Sequence, residues 1–73
     1  MLIMNQRRDT IVNLGRVETI YIDRTSNGIV ATWQGKREIL GTYHTYEQAE
    51  SELKEIFNIV LTGYERHFMS EKG

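Results

Sequence analysis

A chain of 73 residues has room for one domain, and at that length folding buries only about 60% of the surface the unfolded chain exposes. There is no cysteine, which excludes disulfides and the common zinc frameworks together and leaves self-association as the expected aid to a small core. Residues 1–45 carry six basic side chains (Arg7, Arg8, Arg16, Arg24, Lys36, Arg37) against four acidic ones (Asp9, Glu18, Asp23, Glu38), a balance of +2, while residues 46–73 carry three (Lys54, Arg66, Lys72) against six (Glu47, Glu50, Glu52, Glu55, Glu65, Glu71), a balance of −3, and neither half has the excess of positive charge usual in a dedicated nucleic-acid binder.

In chain order, MLIMNQ at residues 1–6 reads as a first strand, Arg7-Arg8-Asp9 as a polar turn, and residues 10–14 as a second short strand, together a candidate hairpin. Residues 17–23 form the clearest strand of the front half, with Ile20 and Ile22 on one face and Thr19 and Tyr21 on the other. The turn formers DRTSNG lead into a strand over residues 29–34, and Gly35-Lys36 reads as a two-residue loop of type II′ joining it to a strand over residues 37–43. If Gln34 faces Arg37, one face carries Ile29, Ala31, Trp33, Glu38, Leu40 and Thr42, and the other Val30, Thr32, Gln34, Arg37, Ile39, Gly41 and Tyr43. Both faces are partly apolar, and one helix covers only one of them. The other is expected to meet solvent or a partner.

Thr45 and Gln48 have the spacing of a capping box, so the single long helix starts near Tyr46, and Gly63 is placed to end it. Tyr46, Ala49, Leu53, Ile56, Phe57, Val60, Leu61 and Tyr64 fall within an arc of roughly 140°, the expected core-facing stripe. Ile59 projects roughly 60° outside it, beside Gln48, Glu52 and Glu55, and is expected to be exposed. Glu50 and Lys54 have the spacing of a favourable helical ion pair. Beyond Gly63, the tail offers Tyr64, Phe68 and Met69 as anchors, and either folds back along the sheet or adds a short edge strand.

These elements predict an α+β domain built on one antiparallel sheet of four or five strands over residues 1–43, with a helix over 46–62 packed across one face and a short tail over 64–73. No catalytic constellation, metal pattern or phosphate loop is legible, so a non-enzymatic protein without cofactor or metal is expected. His44 reads as a structural residue before the helix cap and His67 as a surface residue. Arg7 and Arg8 in one turn, Lys36 and Arg37 in another, and Trp33 nearby are the candidate binding residues, placed to form a patch for phosphate or a base if both turns share one end of the sheet. No stretch is long enough to cross a membrane and no apolar run of signal-peptide type opens the sequence, so a cytoplasmic location is expected.

Residues 29–53, IVATWQGKREILGTYHTYEQAESEL, resemble the DNA-binding domain of ethylene-response-factor type, similar segments of which occur in arm-binding domains of some phage integrases. Leu40, Gly41, Tyr43, Thr45, Glu47 and Ala49 fit that pattern, which implies a three-stranded sheet backed by one helix. The arginines and tryptophans with which such sheets read the major groove are reduced here to Trp33, Arg24, Lys36 and Arg37, so the likeness bears on fold more than on function. Over its whole length, through the opening MLI, IVNLGRVETIYI at 11–22 and LGTYHTYEQAESELKEI at 40–56, the chain resembles short proteins carried by phages and mobile elements of Gram-positive bacteria. That resemblance implies an accessory protein acting in the host cytoplasm by binding a host protein, a defence complex, a nucleotide signal, for which it would be an oligomeric sponge, or another phage component; the sheet and its basic turns leave a nucleic-acid-binding module as the alternative.

Overall fold

The computed structural model describes residues 1–63 and 66–71. Its strands are β1 (Leu2–Met4), β2 (Ile11–Asn13), β3 (Thr19–Asp23), β4 (Gly28–Trp33), β5 (Lys36–Thr42) and β6 (Arg66–Phe68), with one helix, α1 (Tyr46–Thr62), between β5 and β6. They form two three-stranded sheets, ordered β2-β1-β6 and β3-β4-β5, in place of the single sheet expected. The N-terminal hairpin does form, with Ile3 opposite Val12, but β1 takes β6 as its other neighbour, in parallel, and a single 3-10 turn at Leu14–Arg16 redirects the chain into β3. The predicted tail strand therefore extends the hairpin, not the larger sheet.

Gln6 is the joint between the sheets. Its backbone N–H donates to the Leu40 carbonyl at 2.7 Å, and its side-chain Oε1 accepts from the Thr42 N–H at 2.9 Å. Gly41 permits this approach, because a Cβ there would stand 3.1 Å from the Cβ of Gln6. The turn that follows is closed by Asn5, 1% exposed, whose Oδ1 accepts from the backbone N–H groups of Asp9 and Thr10. Asn5 Nδ2 donates to Asp9 at 2.7 Å, which together with the Thr10 hydroxyl holds the Asp9 carboxyl below its usual range.

Two details of the larger sheet differ from expectation. The β4–β5 loop is Gln34-Gly35, with φ of 49° and 77°, and Trp33 faces Lys36, so the turn is of type I′ and not a type II′ turn at Gly35-Lys36. Positive φ at both central positions matches the strand twist, and glycine adopts it without strain at the second. Between Ile29 and Val30 the ladder slips: Val30 faces Ile39 but Ile29 faces Gly41, leaving Leu40 as a bulge residue. The bulge turns Tyr43 to the core side, away from the Val30 and Ile39 face on which strict alternation placed it.

The core runs between the sheets and under α1: Ile3 and Val12 from one sheet, Ile29, Ala31 and Leu40 from the other, Tyr43, Ala49 and Ile56, and Met69 after β6. The helix is capped as predicted, with Thr45 Oγ1 accepting from the Gln48 N–H at 3.1 Å and Gln48 Oε1 accepting from the Thr45 N–H at 3.2 Å. At its other end Gly63, with φ of 79°, donates to the Ile59 and Val60 carbonyls. Its roll is not the predicted one. Ala49, Glu52 and Ile56 are buried and Ile59 is half-buried, whereas Phe57, Val60 and Leu61 are exposed, a rotation of roughly 70° from the apolar stripe. Lys54 has no carboxylate within ion-pair distance among the described residues, so the Glu50–Lys54 pair does not form; exposed pairs of this kind compete poorly with water. Tyr64, a predicted anchor, lies outside the described residues. No helix among the described residues is long and apolar enough to cross a membrane.

Candidate functional site

α1 covers the face of β3-β4-β5 that carries Ile20, Ile22, Ile29 and Ala31, and the opposite, open face leaves Tyr21 and Ile39 exposed among the described residues. Cross-strand register sets its rows: Tyr21, Val30 and Ile39 stand side by side, next to a row of Thr19, Thr32 and Arg37. Tyr21 is 38% and Ile39 48% exposed, while Val30 between them is almost fully covered without belonging to the main core. An apolar side chain in the central strand packs between its cross-strand neighbours and fixes their orientation. Arg7 borders a shallow groove that runs along Ile39 to Thr42, at the β5 margin of this face. The result is a rigid patch of one aromatic and one aliphatic side chain, with Arg37 on the patch and Arg7 at its edge.

The predicted binding residues are divided. Arg7 and Arg37 reach the open face, Arg7 lying 3.7 Å from the Asp9 carboxylate in an exposed pair. Arg8 is held elsewhere: its guanidinium is 3.0 Å from Glu71, 3.4 Å from the Asn5 carbonyl and 5.4 Å from the Phe68 ring centre. Trp33 is half-buried against the core on the α1 side of the sheet, and Lys36, its cross-strand partner, is on that side too. The Arg7-Arg8 turn adjoins the Leu40–Thr42 end of β5 and Lys36 the other, roughly 15 Å along the strand. Arg24 stacks on Tyr46, 4.7 Å from the ring centre. Tyr21 and Ile39, the exposed large hydrophobic side chains of the open face, were legible as alternating strand residues without any signal that they were the exposed ones.

A second group of titratable side chains is internal. His67 is 8% exposed, contrary to the surface position expected, and its Nε2 lies 2.8 Å from Glu52 Oε2, which also accepts from the Ser70 N–H at 3.1 Å. The Tyr43 hydroxyl donates to the Ser70 carbonyl at 3.1 Å, and Gln6 Nε2 donates to the same carbonyl. β6 and the residues after it are thus tied to α1 and to the Gln6 joint through Glu52, Ser70 and Tyr43. Among the described residues no three His, Asp or Glu side chains are grouped so as to hold a metal ion.

Burial, with the nearby Glu52 carboxylate adding to it, pushes the Tyr43 phenol well above its ordinary value of 10.0. The unfolded chain releases that proton near pH 10 and the folded chain keeps it, so this group's contribution to stability is complete below pH 10 and falls as pH rises beyond it. In an alkaline titration followed by tyrosinate absorbance, one of the four tyrosines is expected to ionise only as the chain unfolds. Tyr43→Phe removes that late step; a profile in which all tyrosines ionise together while the chain stays folded contradicts it.

Compared with protein-family models, curated proteins and solved structures, the chain matches none.

Proposed function

We propose that the chain is a non-enzymatic accessory protein of phage or mobile-element type that works by binding a protein partner, with the open face of β3-β4-β5 as the contact surface. The observation that carries this reading is the Tyr21–Val30–Ile39 row, which exposes an aromatic and an aliphatic side chain together on a sheet held rigid from behind by α1. Tyrosine and arginine are enriched among the side chains that dominate interface energies, and such anchors work best on elements that lose little freedom on binding. Arg37 and Arg7 add a positive rim suited to an acidic partner surface. A host defence effector is one of the partner classes that the phage resemblance implies.

The nucleic-acid reading has less support, since Trp33 is on the α1 side of the sheet and Arg8 is engaged with Glu71. The test is capture of a partner from host extract by the wild-type chain and by Tyr21→Ala/Ile39→Asp. Loss of a central anchor worth 2 kcal/mol weakens binding about 30-fold, so the double variant is expected to lose the partner while keeping its circular dichroism spectrum. A partner held equally by both proteins overturns the assignment of this face. Retention of DNA or RNA that falls steeply with salt and is lost in Lys36→Glu/Arg37→Glu moves the chain to the nucleic-acid class.

A further inference from the structure

Among the described residues, two features on the β3 side of the molecule are without a partner. Phe57, Val60 and Leu61 of α1 are 63%, 49% and 67% exposed, and the first two line a groove of about 440 Å³ with Leu14, Ile20 and Leu53. β3 itself is an edge strand, and among the described residues no backbone group pairs along its outer side. Its sequence, TIYID, contains neither lysine nor proline, two of the devices that keep natural edge strands from pairing, and its one charge, Asp23, stands at the strand's end.

We propose that a second copy of this chain covers both features at once, with β3 pairing antiparallel to its counterpart about a two-fold axis perpendicular to the sheet. The geometry points to this occupant. α1 rests over β3 and β4, so its axis lies about half a strand spacing inside β3; pairing the two β3 strands at about 4.8 Å puts the two helix axes roughly 10 Å apart. That is the distance at which helices pack. A perpendicular axis also leaves both helices on the same side of the joined sheet, running antiparallel, with Phe57, Val60 and Leu61 between them. An extended peptide would satisfy the β3 edge but leave Leu61, which is outside the groove, uncovered.

The area is adequate. The three helix side chains expose roughly 300 Å² together, and a five-residue edge strand adds a comparable strip, giving about 600 Å² per partner against the 600–1,000 Å² of specific interfaces. The contact is isologous and closes as a dimer. It uses the edge of β3 and the flank of α1, not the open sheet face, so it holds or fails separately from the binding reading. Where both hold, the two open faces join into one six-stranded surface.

Sedimentation equilibrium at about 100 µM, where a micromolar dimer is largely assembled, is expected to give twice the chain mass of 8.6 kDa. Phe57→Glu/Leu61→Glu, two changes at exposed positions, is expected to give a folded monomer in which the amides of Thr19–Asp23 exchange faster than in the wild-type chain. A wild-type monomer overturns the proposal, and so does a dimer that survives the double variant. If the wild-type chain is a monomer and a synthetic peptide of alternating valine and threonine slows its β3 exchange, the edge belongs to an extended partner segment and the proposal fails.

Discussion

Glu52→Ala is expected to lower the stability of the folded chain by about 2–5 kcal/mol, because a buried group left without its hydrogen-bond partner costs about 1–3 kcal/mol and two groups share this carboxylate. Glu52 is 6% exposed and its Oε2 serves both His67 Nε2 and the Ser70 N–H, so alanine removes the hydrogen-bond partner of the buried His67 ring and the acceptor of the half-buried Ser70 N–H. At the usual 0.05–0.15 kcal/mol per residue, the whole chain has roughly 4–11 kcal/mol to lose. The variant is therefore expected to sit near or beyond its unfolding midpoint at room temperature. Urea titration decides the matter: a midpoint loss equivalent to less than about 1 kcal/mol would mean that the pair is not holding β6. Glu52→Gln keeps an acceptor at the same position and is expected to lose less than the alanine variant.

The same pair explains why the roll of α1 was hidden in the sequence. Periodicity placed Phe57, Val60 and Leu61 inward and Glu52 and Ile59 outward, because a glutamate reads as a surface residue until its partner is known. The partner is His67, fifteen positions on, and β6 brings it to the core side of the smaller sheet. Once the two are satisfied by each other, the helix buries the flank with the glutamate and leaves the more apolar flank free.

What was legible was local. The ends of α1 follow from Thr45, Gln48 and Gly63, whose capping chemistry acts within one turn. The hairpin strands follow from alternation and turn residues. What was not legible depended on contacts distant in sequence: β6 beside β1, Gln6 against Leu40 and Thr42, and Arg8 against Glu71. Gly41 was visible as a residue but not as the gap that lets Gln6 approach, and the bulge at Leu40 left no signal beyond that glycine. For the candidate site, the sequence said that one face of the larger sheet would be spare, but it could not separate Arg7 and Arg37 from Arg8, Trp33 and Lys36.

Ile3→Ala is expected to be the most damaging change in the first ten residues, at about 2–5 kcal/mol for the loss of a fully buried large aliphatic side chain. Ile3 is 0% exposed, in the middle strand of its sheet, between Val12 on one side and His67 on the other. Its side chain therefore stands beside His67 on the core face of the sheet, and a cavity there is expected to loosen the His67–Glu52 pair as well as the packing. Leu2 is the internal control: it belongs to the same strand, is 47% exposed and points to the other face, so Leu2→Ala is expected to change stability by less than about 1 kcal/mol. Equal denaturant midpoints for the two variants would mean that β1 is not packed as described. Because β2 and β6 pair only through β1 in this sheet, deleting residues 1–5 removes the partner of both strands at once. That truncation is expected to abolish cooperative unfolding altogether, leaving α1 without the strand that anchors its buried flank.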